Sequence, residues 1–148
     1  MKTRTILLLL SSLLVAACTH RTVWSEFRPT DEDGWDKDSV LVYTFPIADT
    51  LADYDILLHI RHTGQYPYQN MWLFLNDDRD TVEFYLADDH GRWLGNRGNG
   101  HISMPVLLEH RIRFPQTGPH TISLRHGMRQ EKLKGVTAVG VEVRKSEY

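Results

Sequence analysis

Thiols are almost absent from this chain. Its 148 residues hold one cysteine, Cys18, ahead of every strand-like segment. A disulfide framework and a cysteine-ligated zinc site are therefore excluded as supports for the folded part. Long apolar runs are missing too. The one candidate, Ile6 to Val15, is well short of the roughly 20 residues that cross a bilayer as a helix. No window carries a sustained amphipathic helical period, and there is no Gly-x-Ser-x-Gly elbow for a serine nucleophile. Basic residues are not in excess. There are 17 Lys and Arg against 19 Asp and Glu, and loss of Lys2 and Arg4 with a leader takes the net charge to about −4. A nucleic-acid partner, which needs a basic face, is not expected.

The first seventeen residues read as a secretion signal. Lys2 and Arg4 supply a charged start, Ile6 to Val15 an apolar stretch, and Ala16 and Ala17 a small-residue end. The ending Val15-Ala16-Ala17-Cys18 resembles a bacterial lipobox, in which the cysteine thiol takes diacylglycerol and becomes the mature N-terminus. Cys18 is thus the expected lipidation site, and the lipid bilayer the expected partner of the acylated residue. At about 0.8 kcal/mol per buried methylene, several acyl chains hold far better than one.

Residues 18–38 read as a lipidated tether. Glu26, Asp31, Glu32, Asp33, Asp36 and Asp38 dominate it, with Pro29 and Gly34 and no steady period. Trp24, Phe27 and Trp35 interrupt that polarity, so part of it is expected to lie against the domain. Strands follow over 39–148. Ser39 to Phe45 is a β-rich run ended by Pro46, and Met71 to Leu75 is apolar on both faces, as in a central strand. Period-two alternation elsewhere predicts a core of Ile56, Leu58, Ile60, Phe84, Leu86, Ile112, Phe114, Ile122, Leu124, Val141 and Val143. Short strands separated by turn formers predict an all-β fold: a two-sheet antiparallel β-sandwich, jelly-roll-like. Met128 to Leu133 has room for one helical turn at most.

Polar clusters give little chemistry. His59 and His62, three apart, point to opposite faces of a strand and make a poor metal clamp. His110 is expected on the inner face of its strand, and His126 at a strand end in a structural role. Asn76, Asp78, Asp80 and Glu83 suit a hairpin turn better than calcium, because the EF-hand spacing is missing. Gly95 to Gly100 fits neither a P-loop nor a dinucleotide fingerprint and reads as a loop. No metal, cofactor or catalytic residue is expected. The best contact candidates are Tyr66, Tyr68, Trp93 and Arg97, because Tyr, Trp and Arg most often dominate binding energy at interfaces. Filling the core is the competing fate of any one of these rings.

The segments WDKDSVLVYTF (35–45), YPYQN (66–70), DDHGRWLG (88–95), RFPQTG (113–118), RHGMR (125–129) and LKGVTAVG (133–140) occur in an order that resembles the gliding motility-associated lipoprotein family, GldH, of the Bacteroidetes. The resemblance covers the lipobox and nearly all of the mature chain. It implies an outer-membrane lipoprotein tied to gliding and, indirectly, to the type IX secretion apparatus, with no catalytic residues. A structural or assembly role with another envelope protein as partner follows from it. The stretch after the cysteine, Thr19 to Thr22, lacks the acidic character of surface-exported lipoproteins, which points to the periplasmic side. A glycan-binding sandwich of a polysaccharide-handling system is the alternative.

Overall fold

Burial alternates strictly along residues 41–47. Leu41, Tyr43, Phe45 and Ile47 are buried while Val42, Thr44 and Pro46 are exposed, because successive side chains of a strand leave on opposite faces. The computed structural model describes residues 21–147; the expected leader, Cys18 and the two residues after it, and Tyr148, lie outside this range. Eleven strands are present: β1 (Thr22–Pro29), β2 (Trp35–Asp36), β3 (Leu41–Ile47), β4 (Tyr54–His62), β5 (Asn70–Leu75), β6 (Asp80–Tyr85), β7 (Asn96–Gly98), β8 (His101–Ile112), β9 (Gly118–His126), β10 (Lys132–Leu133) and β11 (Val136–Lys145). Every pairing is antiparallel. A five-stranded sheet in the order β1-β11-β4-β8-β7 faces a four-stranded sheet in the order β3-β9-β5-β6, with β10-β2 as a small ribbon. The chain crosses directly between the two large sheets at β3–β4, β4–β5, β6–β7 and β8–β9, and through the ribbon strands from β1 to β3 and from β9 to β11; the result is the expected antiparallel sandwich.

Of the expected core, Ile56, Leu58, Ile60, Phe84, Leu86, Ile122, Leu124, Val141 and Val143 are buried. Ile112 and Phe114 are half-buried against it. Trp35, Tyr43, Tyr54, Met71, Leu73 and Val139 are among the other interior residues. Tyr43 donates its hydroxyl to the Val139 carbonyl at 2.7 Å across the two sheets, which satisfies the polar end of an otherwise apolar ring.

The segment expected to be a tether departs most from the sequence reading. From Thr22 onward it belongs to the domain: β1 runs along β11 from Thr22 opposite Arg144 to Pro29 opposite Ala138. Trp24 packs on Tyr43 and Phe45, and the Arg28 guanidinium lies 5.1 Å over the Tyr43 ring while pairing with Glu26. On the outer face Phe27 covers Gly140, where any Cβ would strike its ring, and Arg61 sits 4.1 Å above the same ring. Trp35, only 1 % exposed, donates to the Ser39 carbonyl and accepts from His126.

Three smaller differences have local causes. His110 is exposed rather than inward. The register of β8 against β4 slips near Ile56 and Tyr54, and Arg111 has φ +54°, a bulge that flips the side-chain alternation. The Arg111 N–H freed there donates to Asp55. The β3 strand continues through Pro46, which faces Pro119 on β9, because an edge strand tolerates a missing donor. Half of the glycine-rich run forms β7, paired with the start of β8, and no helical turn forms over Met128 to Leu133.

The sandwich has two distinct ends. Arg21, the loops 48–53 and 113–117 and the close of β11 share one; the loops 63–69, 86–95 and 127–131 share the other.

Candidate functional site

Tyr66, Tyr68, Trp93 and Arg97 all lie at the end remote from Arg21, but they do not form one surface. Tyr66 is 2 % exposed and is corrected from contact residue to core residue. Its hydroxyl donates to the Asn70 carbonyl at 2.7 Å, burial pushes its pKa up, and Gly135, at φ +84°, packs against its main chain. Only a glycine fits that approach with that backbone. Tyr68 stands edge-on to it at 5.9 Å and is half-buried.

Trp93 is half-buried and firmly placed. A turn holds it: Asp88 accepts the N–H groups of His90 and Arg92 through one carboxylate oxygen and the Arg92 side chain through the other. Leu94 donates back to Leu86 at 2.8 Å. The indole meets His62 edge-to-face at 4.7 Å and Tyr66 at 6.3 Å. Arg97, on β7, is exposed and shares an open cleft of about 370 Å³ with Trp93, Gly64 and His101. Of the four, only Trp93 and Arg97 line the same cleft.

Tyr68 belongs to a second cleft, of about 460 Å³, with Asn70, Trp72, Met128, Arg129 and Gln130. Trp72 is 40 % exposed on the outer face of the four-stranded sheet, where Tyr85 of β6 is 58 % exposed. Two bonds fix the cleft wall to β5. The Gly127 N–H donates to the Trp72 carbonyl at 2.7 Å, and the Trp72 N–H reaches the Met128 sulfur at 3.3 Å. Asn70 is held by Glu83 at 2.7 Å. Gln130 carried no sequence signal and Arg129 none beyond the RHGMR segment, because they lie in an irregular stretch with no period. The calcium-like cluster is committed elsewhere: both Asp78 oxygens accept from Arg125. No group of three or more metal-ligating side chains occurs among the described residues.

Two histidines in the interior, His62 and His126, are expected to make the stability of this fold depend on pH. His62 donates from Nδ1 to the Thr63 carbonyl and His126 from Nε2 to the Trp35 carbonyl, while His62 Nε2 and His126 Nδ1 are buried without a partner. Burial holds both pKa values below the ordinary 6.5. In the unfolded chain both take up protons near that value, so stability is complete above it and falls as pH drops through it. The melting temperature is expected to decline between about pH 7.5 and 5.5. A His62→Gln/His126→Gln variant should start lower and change less; an equal slope would remove these rings as the cause.

The family model described as GldH lipoprotein matches residues 22–143. A gliding motility lipoprotein GldH homolog of Christiangramia forsetii is 27 % identical, with 91 % of each chain covered. The gliding motility lipoprotein GldH of Flavobacterium johnsoniae is 23 % identical, over 95 % of this chain and 96 % of that one. No solved structure matches the chain. The match runs from the first residue of β1 to Val143 of β11, all of the sandwich but the end of its last strand, and the chain belongs to the GldH lipoprotein family.

Proposed function

We propose that this lipoprotein is a non-enzymatic structural or assembly component of the cell envelope, serving the gliding or protein secretion machinery. Acylated Cys18 holds it at the outer membrane, facing the periplasm. Trp93 and Arg97 grip a second envelope protein. The observation that supports this best is the pairing of a half-exposed indole, fixed by its turn and by His62, with an exposed guanidinium in one open cleft. A preplaced ring loses little freedom on binding, and an arginine beside it adds both charge and a planar stacking face. The test is recovery of the partner with the intact lipoprotein from solubilised envelopes. Arg97→Ala is expected to lose the partner with the melting temperature nearly unchanged, and Trp93→Ala to lose partner and some stability together. Full recovery with Arg97→Ala sinks this site.

The outward Trp72 favours a second reading, a glycan-binding lipoprotein of a polysaccharide-handling system. An exposed indole offers a stacking face for the C–H side of a sugar ring, and Asn70, Gln130 and Arg129 surround it with hydrogen-bonding groups. Retention on immobilised envelope polysaccharide that Trp72→Ala abolishes would select this reading over the first.

A further inference from the structure

The stretch of chain between Cys18, the expected acylated residue, and the first described residue is very short. Cys18 and Arg21 are three Cα steps apart, at most about 11 Å when fully extended. Arg21 is itself tied into the sandwich. Its carbonyl accepts the Lys145 N–H at 2.8 Å, and the next residue, Ser146, donates its N–H to the Asp53 carbonyl at 2.9 Å. The Lys145 ammonium reaches Asp49 at 3.3 Å. The point where the chain leaves the bilayer is therefore fastened to the loop 48–53. At the tip of that loop Leu51 is 81 % exposed, far more than any other large apolar side chain described.

We infer that the sandwich stands end-on at the bilayer, with the loop 48–53 in the headgroup layer and Leu51 as its apolar contact. This rests on the acylation of Cys18 and deepens that reading, because it assigns the membrane a protein surface as well as a lipid anchor. The end is built to keep its shape there. Asp55 is buried and accepts from Ser146 Oγ, the Arg111 N–H, His110 and Arg144, which joins β4, β8 and β11. The cations of the rim are matched by carboxylates: Arg111 and Arg113 on Asp53, and Arg21 on Glu147. A rim so balanced has little attraction for anionic headgroups, so contact follows from the anchor and from Leu51.

The orientation has a consequence for the clefts. The ten residues of β11 separate the two ends, about 30 Å at roughly 3.3 Å per residue. Trp93, Arg97, Tyr68 and Trp72 would then face away from the lipid, open to a partner in the envelope space. A side-on arrangement would instead press Phe27 and Leu107, on the outer face of the five-stranded sheet, against the lipid. That face also carries the His59–Glu142 pair and Arg61, charged groups that contact with the bilayer core would strip of water.

The test uses the intact acylated lipoprotein in vesicles of phosphatidylethanolamine and phosphatidylcholine. Acylation consumes the Cys18 thiol, so Leu51→Cys, Leu107→Cys and Asn99→Cys each offer a unique site for an environment-sensitive fluorophore. The label at Leu51→Cys is expected to shift to the blue and to be quenched several-fold less by a water-soluble quencher than the other two. Equal quenching at all three positions, or protection at Leu107→Cys instead, overturns the end-on placement. The N-terminal mass of the same sample separates the two claims. A diacylated Cys18 with an unprotected Leu51→Cys label refutes the orientation alone, whereas an unmodified cysteine refutes both.

Discussion

Trp35→Ala is expected to cost about 3–5 kcal/mol, the usual range for removing a fully buried tryptophan. That is a large fraction of the roughly 5–15 kcal/mol by which domains of ordinary size are stable. The ring is 1 % exposed, meets His126 edge-to-face at 5.4 Å, and donates from Nε1 to Ser39 at 3.1 Å. Its strand pairs Leu133 of β10, so the cavity would open where the N-terminal segment closes one end of the core. Trp35→Phe keeps most of the volume and should cost much less. Urea unfolding of both variants checks the expectation. A Trp35→Ala protein as stable as the parent would mean that the segment before β3 is a tether after all.

Cys18→Ser should abolish membrane attachment. Serine cannot form the thioether that carries the diacylglycerol, and the described residues contain no helix long and apolar enough to cross a membrane. With about 0.8 kcal/mol lost for each methylene no longer buried, no surface contact of the domain makes up for the missing chains. The variant is expected in the soluble envelope fraction or as a precursor with its leader attached, without fatty-acid label. Normal labelling and a membrane-bound variant would contradict the assignment of Cys18.

The strands with one wet and one dry face were the legible ones. Val141 and Val143 in β11 and Ile122 and Leu124 in β9 announced themselves by alternation, because burial on one face leaves a period of two; Ile56, Leu58 and Ile60 in β4 alternated in sequence although Asp55 and Leu57 between them are buried as well. The first strand was not legible for a physical reason. Its inward positions are Trp24, Glu26 and Arg28, and its outward ones Val23, Ser25 and Phe27. An edge position lets Arg28 lie on Tyr43 with its charge still hydrated, so polar and apolar residues appear on both faces. His110 was misplaced because a bulge is invisible to a pattern that counts strictly in twos. At the candidate site, residue types singled out Tyr66, Tyr68, Trp93 and Arg97 alike, and of these Trp93 and Arg97 line one cleft. The fate of Tyr66 depended on Gly135, sixty-nine positions away in sequence and packed on its main chain, a contact that no local pattern carries.

As proposed above, the anchored sandwich holds a second envelope protein at the Trp93–Arg97 end. A photo-crosslinking residue placed at Arg97 in the intact lipoprotein, and separately at Leu107 on the outer sheet face, tests it most directly in living cells. Illumination should give one discrete adduct between position 97 and another envelope protein, and none from position 107. No protein adduct at 97, or the same adduct from both positions, would contradict it.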